Sequence, residues 1–152
     1  MSDKKYYILT INPGSTSTKI GVFENENLLF NKSIYHNDQE IAEFPRVWDQ
    51  YAFRKKAILD ALARENFDLN KLSCTVGRGG LFRPIISGTY SINKEMLNDA
   101  RIALQGEHAS NLGCVLAFGI AWDCDVPAYI VDPPCVDEME DVARISGHAA
   151  IK

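Results

Sequence analysis

The fold is decided by the stretch Ile8-Leu-Thr-Ile-Asn-Pro-Gly-Ser-Thr-Ser-Thr-Lys-Ile-Gly-Val-Phe23. An apolar strand enters a turn rich in Gly, Ser and Thr, and a second apolar strand leaves it. Because the β-branched Ile20 and Val22 follow Lys19, the exit predicts a strand rather than the helix of a G-x-x-x-x-G-K-[ST] phosphate loop. The stretch therefore predicts a β-hairpin with a polar tip.

The tip combines an amide, four hydroxyls, a glycine and an ammonium. Such a set can offer many donors and one positive charge to a phosphate. An ordinary hairpin turn is the alternative, because Asn-Pro-Gly-Ser is also turn chemistry. A plain two-residue turn needs neither the hydroxyls nor the lysine. We therefore predict that phosphate is bound by Asn12, Gly14, Ser15, Thr16, Ser17 and Lys19.

Composition limits the class of protein. The chain has 152 residues, of which 46% are hydrophobic and 24% charged, enough for one good core. Its net charge of -4, with no stripe of Lys and Arg, argues against nucleic acid as a partner. We find no run long enough to span a membrane and no signal-peptide core. The expected location is therefore the cytoplasm, with no membrane partner.

The cysteines and histidines show no metal-binding spacing. No C-x-x-C pair occurs, and the surroundings of the cysteines are apolar, so buried free thiols are favoured over a zinc site. The histidines lie far apart, and none has ligand spacing with a cysteine. The residues concerned are Cys74, Cys114, Cys124, Cys135, His36, His108 and His148.

Patterning along the chain predicts a mixed α/β arrangement. Residues 6–11, 18–23 and 28–35 are predicted to form an antiparallel meander. A helix is expected from Pro45 to about residue 65, with Trp48, Ile58 and Leu62 among the residues on one face. Short strands at 73–76 and 89–92 should precede helices at 94–104 and 109–123, and a buried strand at 128–131. Residues 141–152 end without a closing element, which suggests one lobe of a longer protein or a truncation.

Three further polar sites follow predicted elements. Arg78, beside Gly79 and Gly80, could bind a carboxylate or phosphate through two parallel hydrogen bonds, or be a surface arginine in a turn. His108 precedes a buried helix, where anions gather, although a capping box with a solvated histidine is as good an account. Asp132 ends the strand at 128–131 and could hold Mg²⁺ or form a turn. Together with the hairpin, these groups suit phosphoryl transfer.

These motifs resemble those of a known family. The segment from Asn12 to Lys19 resembles the opening signature of the acetate and butyrate kinases, and the butyrate kinases most closely. Four more segments match that family in the right order, so that the resemblance covers essentially the whole chain. They are Arg78-Gly-Gly-Leu-Phe-Arg-Pro84, Gly88-Thr-Tyr90, Glu107-His-Ala-Ser-Asn-Leu-Gly113 and Val131-Asp-Pro-Pro-Cys-Val-Asp-Glu138.

The resemblance implies an α/β fold of two lobes, shared with actin, hexokinase and the Hsp70 ATPase domain. Residues 1–152 would form the N-terminal, ribonuclease H-like lobe, and the second, adenosine-binding lobe is absent from this chain. The implied reaction is ATP + short-chain carboxylate ⇌ ADP + acyl phosphate, with Mg²⁺ as cofactor.

The resemblance also implies residue roles. Lys19, Arg78 and Asp132 would be catalytic, and Asp132 would also serve Mg²⁺. The carboxylate would lie near Arg78, Gly79, Gly80 and His108. The family's acetate kinases carry an Arg-x-x-His-Gly-Gly arrangement near Arg78, which Thr75-Val-Gly-Arg78-Gly-Gly replaces here, so the assignment of Arg78 is the least secure.

Other functions remain open at this level. A truncated or decayed module could bind phosphate or a partner without turnover, and an actin-like assembly protein would form filaments on nucleotide addition. We also expect a homo-oligomer, because a lone lobe would expose the apolar surface against which its partner lobe packs. The preferred acid is not determined, since acids that differ by a methylene differ by only about 1–3 kcal/mol in a pocket.

Overall fold

The computed structural model describes residues 4–147, which form one mixed α/β layer structure around a six-stranded sheet. The strands lie in the order β3-β2-β1-β4-β6-β5. Their bounds are β1 Tyr7–Pro13, β2 Ser17–Glu24, β3 Asn27–Tyr35, β4 Leu72–Gly77, β5 Thr89–Ser91 and β6 Ala128–Val131. The helices are α1 Asp38–Ala42, α2 Tyr51–Arg64, α3 Lys94–Ile102 and α4 Asn111–Cys124, with 3₁₀ turns at Val47–Gln50, Leu69–Lys71 and Asp141–Arg144.

The predicted antiparallel meander is confirmed. β1 pairs with β2, and β2 pairs with β3. The ladder between β1 and β2 runs further than the sequence predicts, because Asn12 pairs with Lys19 and Pro13 with Thr18. The tip of the first hairpin is thereby reduced to residues 14–16, and Asn12 and Lys19 face each other on neighbouring strands.

Parallel pairing brings three strand ends to one edge of the sheet. β1 is parallel to β4, and β4 is parallel to β6. Their carboxyl ends, at Pro13, Gly77 and Val131, therefore share an edge, where ligands of α/β sheets usually bind. The hairpin tip, Arg78 and Asp132 all follow these strand ends.

The core lies between the sheet and helices α2 and α4. Alternate residues of β1 and β2 point inward, as the two-residue period of a strand requires. They meet fully buried side chains of the two helices, including Ile58 and Leu62 of α2, two residues of the predicted face. The main core cluster also contains Leu9, Ile11, Ile20, Val22, Leu112, Leu116 and Ile120.

Two glycines allow α4 to begin directly against the end of β4. A Cβ on Gly77 would overlap the carbonyl oxygen of Gly113, and a Cβ on Gly80 would lie 2.6 Å from the Cα of Asn111. Because no side chain separates these backbones, the first turn of α4 lies at the same sheet edge as the hairpin tip. This close approach carries His108, just before the helix, to that edge.

Some predicted boundaries were wrong. The helix predicted from Pro45 begins at Tyr51 after a 3₁₀ turn, and α1 before it was missed, although the Asn37 side chain caps it by accepting from the Gln39 N–H. The strand at 128–131 was expected to be buried throughout. Only Ile130 is buried in it, because β6 lies next to the short edge strand β5.

The thiols were also expected to be buried as a group. Cys114 is buried, and its apolar surroundings raise the pKa of its thiol to about 12. Cys74, Cys124 and Cys135 are only partly buried, although all four cysteines are free thiols. Residues 148–152, which include His148, lie outside the described residues.

Candidate phosphate-binding site

One open cleft gathers three of the four sites that the sequence singles out. It has a volume of about 400 Å³, within the range of small-molecule sites. The hairpin, the residue after β4 and the approach to α4 each form part of its wall. The lining residues are Asn12, Pro13, Gly14, Ser17, Lys19, Arg78, His108, Ser110 and Pro134.

The cleft is basic in an acidic protein. Lys19 and Arg78 line it, and none of the described carboxylates does, although the chain carries a net charge of -4. Within residues 4–147, neither cation forms an ion pair with a carboxylate. Two exposed cations in one concavity attract an anion by adding their fields. The lining therefore favours a ligand with at least one negative group.

His108 is held in one tautomer. Its Nδ1 accepts a hydrogen bond from the Ser110 N–H at 3.2 Å and lies 2.8 Å from the Ser110 Oγ. Because Nδ1 acts as an acceptor, the ring proton of neutral His108 must be on Nε2. Ser110 is buried, so it orients the imidazole firmly. His108 can thus offer an N–H donor to a ligand in the cleft.

The start of α4 is less open to anions than a free helix N-terminus. The first N–H groups already donate to nearby carbonyls: Asn111 to His108 at 2.9 Å, Leu112 to Ala109 at 3.0 Å and Gly113 to Ser110 at 2.8 Å. The donors that normally make a helix N-terminus an anion site are therefore used locally. Attraction of an anion here depends on the His108 ring and on the helix dipole.

The hairpin tip reaches the cleft only in part. Its shape is closed by a hydrogen bond of 2.7 Å from the Gly14 N–H to the Ser17 carbonyl oxygen. Asn12, Gly14, Ser17 and Lys19 line the cleft. Ser15 and Thr16 are exposed and lie outside its lining, so their predicted contact with phosphate stays a prediction.

A buried arginine beneath the tip was missed by the sequence analysis. Arg54 in α2 is 0% exposed and donates hydrogen bonds to the Ser15 and Ser17 carbonyl oxygens at 2.9 and 3.1 Å. The signal was present, because Arg54, Ile58 and Leu62 recur every four residues on the buried face of one helix. The predicted face of this helix did not include Arg54.

Gly79 and Gly80 are packing positions in this structure. Gly79 has φ of +86°, and a Cβ on it would lie 2.5 Å from the Cβ of Pro133. Gly80 lies against Asn111 of α4. Both are buried, and neither lines the cleft. Their role in binding the carboxylate stays a prediction, while their role in close packing is visible.

Asp132 is the one predicted site outside the cleft lining. It has φ of +40°, its Oδ1 accepts from the Gly88 N–H at 2.8 Å, and its own N–H donates to the Gly88 carbonyl at 3.1 Å. It is exposed, and Pro134, two residues on, lines the cleft. Asp132 thus lies at the margin of the site, and its Oδ2 accepts no hydrogen bond from the part of the chain that the structure describes.

A magnesium site made by this part of the chain alone is incomplete. Among residues 4–147, no three His, Cys, Asp or Glu side chains come together as a metal-binding group. Mg²⁺ usually keeps several waters and binds one or two carboxylates together with substrate phosphates. The free oxygen of Asp132 fits that pattern as a single ligand.

Comparison with known proteins shows which sequences this chain resembles. The chain is 52% identical over 146 residues to butyrate kinase 1 of Clostridium acetobutylicum, and 51% identical over 143 residues to butyrate kinase 2 of the same organism. Over its own length, the chain is similar to the butyrate kinases. These matches cover 96% and 94% of this chain, but 41% and 40% of the relatives. The chain therefore spans about two-fifths of the length of the curated butyrate kinases that it matches.

Solved structures agree on the fold. Acetate kinases from Porphyromonas gingivalis and Entamoeba histolytica superpose with TM-scores of 0.54 and 0.52, at 13% and 14% identity. The matches cover 83% and 93% of this chain, and 37% and 39% of theirs. The predicted fold class, a lobe of the acetate kinase, hexokinase, Hsp70 and actin type, is confirmed. A scan against models of protein families finds no match.

The similarity to butyrate kinases does not favour a decayed module, because about half of the residues are identical over nearly the whole chain.

No helix within residues 4–147 is both long and apolar enough to cross a membrane.

Proposed function

We propose that this chain supplies the phosphoryl-binding side of a carboxylate kinase, which transfers phosphate from ATP to butyrate or a similar short-chain acid. The observation that carries the proposal is the cleft, in which two cations and a histidine from three separate segments meet and to which residues 4–147 contribute no carboxylate. The resemblance to butyrate kinases supports the same chemistry. We place residues 1–152 in one lobe of a two-lobed enzyme, located in the cytoplasm and forming a homo-oligomer.

The reaction itself needs charge neutralisation more than acid–base chemistry. A carboxylate oxygen forms a bond to the γ-phosphorus while the bond to the β–γ bridging oxygen breaks, so ADP leaves and acyl phosphate forms. No proton is transferred. Because both reactants are anions, positioned cations lower their repulsion and stabilise the charge that develops on the phosphoryl oxygens.

Different residues of the cleft would bind the phosphoryl group, the carboxylate and Mg²⁺. Lys19, with the Asn12 amide and the Ser17 hydroxyl beside it, would bind the transferring phosphoryl group. Arg78 would hold the attacking carboxylate or the phosphoryl group through two parallel hydrogen bonds, and the His108 Nε2–H would donate to the same anion. Asp132 would serve Mg²⁺, which supplies further neutralisation of the phosphate oxygens when bound.

Two assays test the proposal. First, titration calorimetry with inorganic tripolyphosphate should show binding to the 152-residue chain, with the affinity falling as salt is added. Second, a chimera should join this chain to the part of C. acetobutylicum butyrate kinase 1 that it does not match. Hydroxamate detection should then reveal acyl phosphate across a panel of short acids, with native butyrate kinase 1 as the positive control.

The chain alone should have no significant kinase activity. Residues 4–147 contain neither a candidate adenine pocket nor a second lobe that would exclude water and align the reactants. Hydroxamate formation by the purified chain at an ordinary enzyme's rate would show that the active site is complete within these residues. Absence of tripolyphosphate binding would reject the site itself.

A further inference from the structure

Beneath the hairpin tip lies a buried guanidinium whose hydrogen bonds all run to neutral groups. Arg54 Nε donates to the Gln50 Oε1 at 2.9 Å, and Nη1 donates to the Thr18 Oγ1 at 3.0 Å and to the Ser17 carbonyl at 3.1 Å. Nη2 donates to the Ser15 carbonyl at 2.9 Å. Each of the three guanidinium nitrogens thus donates at least one hydrogen bond, but none of these acceptors carries a negative charge.

Charge at this position is uncompensated within residues 4–147. Arg54 forms no ion pair with a carboxylate there. Glu107 lines the same small cavity as Arg54, but it is paired with Arg46 at 2.9 Å. Burial lowers the pKa of Arg54 to about 10, which leaves it protonated at neutral pH. A buried cation without a counter-charge destabilises the fold unless its hydrogen bonds or a nearby anion offset the cost.

The bonds made by Arg54 also orient the tip. The Ser17 carbonyl accepts from both Arg54 and the Gly14 N–H, so one oxygen ties the tip to α2 and closes it. In a trans peptide the N–H points away from the carbonyl of the same unit. Because the Ser15 carbonyl faces Arg54, the N–H of Thr16 is directed to the opposite side, away from the guanidinium.

We propose that Arg54 is a positioning residue for the phosphoryl-binding tip, holding the tip carbonyls from below and keeping a positive charge beneath the bound anion. The inference rests on the proposed function, because it takes the tip to bind phosphate. It adds a third cation to Lys19 and Arg78, one that does not line the main cleft and acts through the loop that it holds.

A purely structural arginine would account for the same hydrogen bonds, so the test must separate charge from folding. Gln50→Glu does this. A glutamate keeps an oxygen acceptor for Arg54 Nε and the size of the side chain, and it neutralises the guanidinium beside it. Gln50→Met is the matched control, since it removes the acceptor and leaves the charge of Arg54 uncompensated.

Tripolyphosphate affinity is measured by calorimetry on the 152-residue chain, alongside urea unfolding of each variant. Gln50→Glu should bind about tenfold more weakly than the wild type, because one unit of charge near the anion is compensated. Gln50→Met should stay within about twofold, if the charge decides affinity. Arg64→Met removes an exposed cation from the far end of α2 and should also stay within about twofold, as expected for a distant, screened charge.

A second pair of variants covers the case in which a glutamate at position 50 prevents folding. Arg54→Lys keeps the positive charge but loses the planar guanidinium with its several N–H donors, whereas Arg54→Met loses both the charge and the donors. The affinity of the folded proteins should fall in the order wild type, Arg54→Lys, Arg54→Met, the last by at least about tenfold. A structural role would lower the unfolding midpoint without this order.

The outcomes separate the two proposals. If the wild type binds tripolyphosphate and folded Gln50→Glu or Arg54→Met binds it equally well, the role of Arg54 is overturned and the site stands. If the wild type does not bind tripolyphosphate, both the proposed phosphoryl site and the proposed role of Arg54 are rejected.

Discussion

Gly80→Ala tests whether this glycine is a packing position. The new Cβ would lie 2.6 Å from the Cα of Asn111 and 3.0 Å from its Oδ1, so α4 or the loop before it must move. Overpacking of this kind costs about 1–3 kcal/mol. The movement also strains two hydrogen bonds of 2.9 Å, from the Leu81 N–H to the Asn111 Oδ1 and from the Asn111 Nδ2 to the Gly106 carbonyl.

Each such hydrogen bond contributes about 1 kcal/mol, so partial loss brings the expected destabilisation to about 2–4 kcal/mol. Urea unfolding of the 152-residue chain measures it directly. Gly14→Ala is the matched control for stability. Its Cβ would come no closer than 3.5 Å to another residue, so its free energy of unfolding should change by less than about 1 kcal/mol.

Tripolyphosphate binding completes the test. Displacement of the first turn of α4 moves His108, so Gly80→Ala should also weaken binding. An alanine variant with wild-type stability would refute the packing argument. Wild-type stability with weakened binding would instead support the direct substrate contact that the family resemblance implies.

Three further outcomes are expected. Lys19→Ala in the chimera should lower kcat about 10²–10³-fold, the usual loss for one charge-stabilising donor, and an unchanged kcat with an altered KM for the acid would reject its role at the phosphoryl group. Asp132→Asn should raise the Mg²⁺ concentration needed for half-maximal rate, whereas an unchanged Mg²⁺ dependence would make the residue only a turn former. Burial lowers the pKa of His36, the nearby Arg54 lowers it further, and Glu40 acts in the opposite direction. Below about pH 6.5, the unfolded chain therefore binds more protons than the folded chain does. The free energy of unfolding should therefore decrease as the pH falls from 7 towards 5. A His36→Gln variant should flatten that slope, and an equally steep slope would contradict it.

The role of His36 also shows why part of the site escaped the sequence analysis. Its Nε2 lies 2.8 Å from the Thr18 Oγ1, the same hydroxyl that accepts from Arg54, and its backbone N–H donates to the Thr16 carbonyl. These groups come from the hairpin tip, β2, the loop after β3 and α2. No local pattern joins them, because their distance in sequence says nothing about their distance in space.

Sequence patterns were sufficient to predict the elements that depend on interactions between residues close in sequence. Alternation of apolar residues and turn chemistry determine the meander, and the hydroxyl-rich turn with Lys19 predicts the candidate site from the sequence alone. Asn93 shows the same for α3, since its side chain accepts from the Met96 N–H at 2.9 Å as a cap should. The motifs around Arg78 and His108 could likewise be recognised from the sequence alone.

The tertiary structure determines which of those motifs lie side by side in space. Parallel pairing of β1, β4 and β6 puts their ends on one edge, and close packing of Gly77 and Gly80 against α4 brings His108 beside the hairpin. The same packing leaves Asp132 at the margin of the cleft and Arg54 beneath the tip. The sequence by itself determined which chemical groups this protein possesses. Their convergence depends on pairing register and backbone contact, which arise only when distant segments fold against one another.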